Sequence, residues 1–161
     1  MGMIMTLLRR LCLIVPVLLS ARAFGQATPD PTGEWIGTYT CIHNQTALRL
    51  GIRTQADGTL SVLFRFGGLP SNPSVPRGCF TLTGAFDPIS RKVTLSPERW
   101  LLHPPGFVMV GLDGKLDPDG SRLAGTITGG SACTTFDVER SVSSGAGDDS
   151  CGSGPPVTAH R

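Results

Sequence analysis

Lysine is almost missing from this chain, with two residues among 161, and tyrosine occurs once. No uninterrupted apolar stretch reaches the roughly 20 residues that a helix needs to cross a bilayer. Between residues 33 and 140 no helix-length pattern of apolar residues three and four apart appears, which excludes a helical core. Familiar catalytic signatures are also missing. There is no Gly-x-Ser-x-Gly elbow, no His-Glu-x-x-His helix and no phosphate-cradling Gly-rich loop between strand and helix. No motif implies a cofactor. Asp113 to Gly120 has a calcium-loop outline, but Lys115 stands at a ligand position and Thr126 where the closing Glu belongs. A hairpin turn explains that stretch, and no metal is expected.

What is present is a rhythm of short runs alternating apolar and polar side chains, punctuated by 21 Gly and 13 Pro. The runs predict strands near 33–42, 47–54, 59–66, 78–86, 91–95, 107–115, 121–128 and 133–140. Leu48, Leu50 and Ile52 share one face against Arg49 and Arg53, and Leu60, Val62, Phe64 and Phe66 repeat the pattern. The fold class is therefore all-β, an eight-stranded antiparallel up-and-down barrel stapled by disulfides. Three connections carry tight-turn signals, at 56–58, 87–90 and 118–120, and share one end. Residues 43–46, 67–77, 97–106 and 129–132 then cluster at the other end as a long-loop mouth. Binding surfaces favour loops on a rigid scaffold, so the mouth is where a ligand or partner is expected.

The ends differ in composition from this middle. Arg9 and Arg10 precede an apolar stretch, Leu11 to Leu19, followed by small residues, as in a cleaved signal peptide over 1–25. Residues 26–32 read as a linker and 141–161, rich in Ser, Gly, Asp and Pro, as a disordered tail. The whole chain has 14 Lys and Arg against 12 Asp and Glu. Removing Arg9, Arg10 and Arg22 with the leader leaves 11 against 12, a net charge of −1. No nucleic-acid footprint and no polybasic membrane patch remain, and no membrane insertion is expected after cleavage. The chain is expected to be secreted or periplasmic.

Four cysteines follow the leader, and export makes disulfides their default. Cys41 ends the first strand and Cys133 begins the last, so closure of the barrel makes them neighbours. Cys79 begins its strand at the same end, leaving Cys41–Cys79 open as an alternative, with Cys151 reaching Cys79 or staying free. His43, Asn44, Asn72, Arg77, Arg99, Trp100 and His103 are the candidate contact residues of the mouth. Arg and Trp are favoured there because binding energy concentrates on them, although Trp100 fits equally as a cap over the core. Asn44-Gln45-Thr46 is also a glycosylation sequon.

Trp35 opens the first strand and Arg140 closes the last, so a guanidinium over an indole is expected to seal the barrel floor. Gly33-x-Trp35 together with the terminal Arg140 resembles the calycin superfamily: lipocalins, fatty-acid-binding proteins, avidins and bacterial metalloprotease inhibitors. The likeness spans 33–140 in strand count and rests on those three residues in motif. It implies a barrel that binds at its mouth or plugs a partner; none of avidin's biotin contacts can be placed on this sequence. The interior candidates Phe64, Phe66, Phe80 and Phe86 speak against a roomy lipocalin cavity.

These observations lead to an exported, non-enzymatic binding module for a small ligand or a protein. A periplasmic protease inhibitor using 26–32 as an inserted trunk is the second reading. A hydrolase-type enzyme built on His43 or His103 is the third, and it lacks a fixed carboxylate partner in sequence.

Overall fold

Alternating side chains from residue 33 to 140 resolve into eight strands that close on themselves. A computed structural model describes residues 29–142 and Cys151. The expected signal peptide at 1–25, the start of the expected linker and all of the expected tail except residues 141, 142 and 151 lie outside the described residues. The strands are β1 (Gly33–Cys41), β2 (Asn44–Thr54), β3 (Leu60–Gly67), β4 (Gly78–Asp87), β5 (Lys92–Leu102), β6 (Gly111–Leu116), β7 (Arg122–Thr128) and β8 (Cys133–Arg140). They are ordered around a closed antiparallel barrel in chain sequence. The seam pairs Trp35 with Arg140, Ile36 with Glu139 and Tyr39 with Phe136, then shifts register before Cys41 meets Cys133.

Closure puts every second side chain inside, and the interior is filled. Trp35 lies toward the floor, and Leu48, Leu50, Ile52, Leu82, Leu112 and Leu123 share the interior with it, all essentially without solvent contact. Phe64 stacks on Phe80 at 4.5 Å, and Tyr39 meets the Phe64 ring edge-on at 5.5 Å. Burial pushes the Tyr39 phenol well above its ordinary pKa, against a smaller opposing effect of its hydrogen bond with Thr46. Two glycines make room for rings. A Cβ on Gly78 would stand 2.2 Å from the Phe66 ring, and one on Gly114 would stand 2.6 Å from Phe136. The outer wall carries Arg49, Thr81, Asp137 and Glu139, the reverse of the apolar outer band of a membrane-spanning barrel.

The mouth end holds the corrections to the sequence reading. The β1–β2 connection is a two-residue turn, Ile42-His43, rather than a longer loop over 43–46. Both residues have positive φ, 49° and 64°, as a tight hairpin between right-twisted strands requires. Sequence reasoning missed it because the usual Asn-Gly signal is absent. At β5, the stretch expected as a loop from Pro97 onward is strand to Leu102. Pairing with β6 stops at Leu95, while pairing with β4 continues through two register shifts to Leu102. Pro97 reads as a breaker, yet a bulged strand beyond the end of a ladder tolerates a residue without an N–H. Phe107 to Val110 in turn form no strand; β6 starts at Gly111.

At the floor, Arg140 ties four segments together. Its guanidinium stacks 4.3 Å from the Trp35 ring centre and donates to the carbonyls of Gly120, Thr32 and Asp30. The Trp35 indole N–H donates to the carbonyl of Pro31, and the Thr32 and Thr54 hydroxyls share a hydrogen bond. Residues 29–32, expected as linker, are thus fastened to the barrel.

Candidate functional site: the mouth rim

The four connections at the end opposite Arg140 are 42–43, 68–77, 103–110 and 129–132. Disulfides brace this end from two sides. Cys41 bonds Cys133 across the seam, directly beneath the Ile42-His43 turn, and the Ile42 amide donates to the carbonyl of Ala132. Cys79 bonds Cys151, which fastens that point of the tail to the start of β4.

Aromatic rings plug the opening. Phe107 from the 103–110 connection stacks on Phe66 at 5.3 Å, while Trp100 packs edge-on against Phe80 at 5.0 Å and Phe66 at 6.3 Å. His103 lies flat against Trp100 at 4.4 Å, and its Nε2 donates to the Phe107 carbonyl at 3.0 Å. Val75 and Met109 pack on the same cluster, and the buried Leu69 lies in the 68–77 connection. Among the described residues the mouth is a filled surface rather than the entrance to a cavity.

The expected contact residues are all placed at this end, with different surroundings. His43 is exposed at the tip of the β1–β2 turn, and the Asn44 side-chain amide donates back to the Ile42 carbonyl. The Asn72 amide donates to the carbonyl of Gln45, pinning the 68–77 loop to β2. Arg77 is exposed at the end of that loop, its Cγ close to Gly67. Arg99 is exposed on β5, in register with Thr81, and Trp100 is half-buried in the plug. His43 and His103 stand on connections four strands apart in the ring, and neither imidazole has a carboxylate partner among the described residues.

Sequence reasoning missed the apolar tips. Ile42 is 70% exposed, Val108 67%, Leu101 44% and Leu102 43%, all at or beside the mouth. For Ile42 and Val108 the signal was in the connections themselves, where apolar residues stand with almost no charge.

The chain matches no protein-family profile, and no curated protein is significantly similar to it.

Proposed function

We propose that this protein is an exported, non-enzymatic binding module that works through the rim of its barrel mouth against a macromolecular surface. The carrying observation is the combination of an aromatic plug and exposed aliphatic side chains around it. A small ligand is held in a cleft or cavity, and among the described residues the rings of Phe66, Trp100 and Phe107 fill the mouth where one would open. Disulfides brace the rim, and they form and persist in oxidising compartments, which supports export. The calycin resemblance belongs to this reading: the closed eight-stranded barrel and the Arg140–Trp35 stack at its floor are what that resemblance implies.

Photo-crosslinking side chains at Val108 on the rim and at Ile89 on the floor test the reading in the exported protein. Capture of a specific partner from Val108 and not from Ile89 is the expected result. A turnover activity abolished by His43→Ala would overturn it. The inhibitor reading has less support, because residues 29–32 are bound to Arg140, Trp35 and Thr54 and not free to act as a trunk.

A further inference from the structure

The two disulfides are built into the molecule in different ways. Cys41 and Cys133 are direct partners in the β1–β8 ladder, flanked by the Tyr39–Phe136 pair and by the Ile42–Ala132 hydrogen bond. Both also pack against the core. Backbone pairing would keep these two sulfurs together without the bond. Cys79 sits in β4 and is 2% exposed, whereas Cys151 belongs to no strand and is half-buried. Apart from its bond to Cys79, Cys151 makes no hydrogen bond, ion pair or ring contact among the described residues. Eight residues of sequence separate it from Val142.

We infer that the Cys79–Cys151 bond is a redox-sensitive switch, opened by a dithiol reductant while Cys41–Cys133 stays closed. A disulfide resists reduction according to the effective concentration of its two thiols in the folded, reduced protein. The strand ladder supplies that concentration to Cys41 and Cys133. For Cys79 and Cys151 it comes from the connecting chain alone. The unfolded chain does not separate the two bonds, because their sequence separations, 92 and 72, are similar.

Burial of Cys79 directs the attack to its partner. A thiolate of the dithiol attacks Sγ of Cys151, the S–S bond breaks, and its electron pair leaves on Sγ of Cys79, which takes up a proton. The reductant's second thiolate attacks the mixed disulfide, closes the reductant's own disulfide and releases Cys151 as a thiol. Two electrons pass from the dithiol to the cysteine pair. The consequence falls beside the mouth. Cys79 stands opposite Leu102 in the β4–β5 ladder, so their side chains share a face, and Leu102 is 43% exposed with the bond closed. Opening the bond frees Cys151 from that face and uncovers more of Leu102. A reducible bond needs no partner at the rim, so its failure and that of the mouth-binding reading are separate.

Redox titration of the exported, disulfide-intact protein with reduced and oxidised dithiothreitol tests the inference, with iodoacetamide trapping and peptide mass spectrometry as the readout. Cys79 and Cys151 should be alkylated at a reduced-to-oxidised ratio about 100-fold below that needed for Cys41 and Cys133. Glutathione, a monothiol, should be trapped on Cys151 and not on Cys79. With only the Cys79–Cys151 bond open, hydroxyl-radical labelling of Leu102 should rise while Ile89, on the floor, stays unchanged. Cys79→Ser with Cys151→Ser should fold as the wild type does and show the raised Leu102 labelling without reductant. Opening of both bonds at one ratio, or of Cys41–Cys133 first, overturns the inference. So do glutathione trapped on Cys79, unchanged labelling of Leu102, and loss of the folded barrel in the double variant, which would make the bond a structural brace.

Discussion

Single residues carry the sharpest contrasts in this molecule. Ile42 and His43 occupy the left-handed region that Asn and Gly adopt cheaply, and Ile42 is β-branched. The turn is held by the Cys41–Cys133 bond and the Ile42–Ala132 hydrogen bond, so the strain persists where an apolar side chain is displayed. Replacing the pair by Asn-Gly should stabilise the fold by about 1 kcal/mol, read from the urea midpoint. The same change should weaken rim binding, because it removes the exposed Ile42 side chain. Arg140 gives the opposite case, a residue whose contacts all serve stability. Its planar fork reaches three carbonyls on two segments while stacking on Trp35. Arg140→Lys should cost about 2–3 kcal/mol, since an ammonium cannot meet those carbonyls in the same geometry. Faster proteolysis near residues 29–32 would accompany the loss; wild-type stability and protection would show the clamp to be dispensable.

Among the elements, β1 and β8 decide the fold, and their covalent link is its main brace. Cys41 and Cys133 lie 92 positions apart, so their bond removes a large loop entropy from the unfolded chain. Replacing both by Ser should lower stability by about 4–5 kcal/mol on the chain-entropy account, seen as a shift in chemical denaturation under oxidising conditions. Much of this level was legible in the sequence. Strict alternation in 47–54 and 59–66 revealed β2 and β3, and the cysteines at the ends of the first and last strands pointed to the seam. The upper half of β5 was not legible, because Pro97 masks a strand whose pairing with β4 outlasts its pairing with β6. The β1–β2 turn was hidden for a related reason: tertiary ties, rather than local propensity, hold Ile42 and His43 in positive φ. Individual mouth residues were placed at the correct end, but the inward turn of Trp100 and the use of Asn72 to pin a loop depend on contacts between distant strands. Periodicity does not report those.

At the scale of the whole molecule, the floor turns carry Asp57, Asp117 and Asp119 while the mouth connections carry no Asp or Glu, so the two ends respond differently to acid. Asp57, Asp87 and Asp119 lie at the floor, each accepting a backbone N–H two residues on, from Thr59, Ile89 and Ser121. The Thr59 amide holds the Asp57 carboxyl below its ordinary value, the Ser90 hydroxyl chiefly does so for Asp87, and the Ser121 amide for Asp119. A carboxyl with a depressed folded pKa binds protons less readily in the native state than in the unfolded chain. Its stabilisation is complete above the unfolded value of about 3.8 and disappears as pH falls through the lower, folded one. Acid should therefore loosen the three floor turns first, while the mouth connections, which contain no carboxylate, keep their contacts. Hydrogen exchange from pH 5 to 2, corrected for intrinsic rates, should show protection falling at Thr59, Ile89 and Ser121 before it falls at Ile42 and Cys133. The triple variant Asp57→Asn, Asp87→Asn, Asp119→Asn keeps an acceptor at each turn, so its stability should vary less with pH over that range. An acid dependence identical to that of the wild type would place the sensitive carboxylates elsewhere in the barrel.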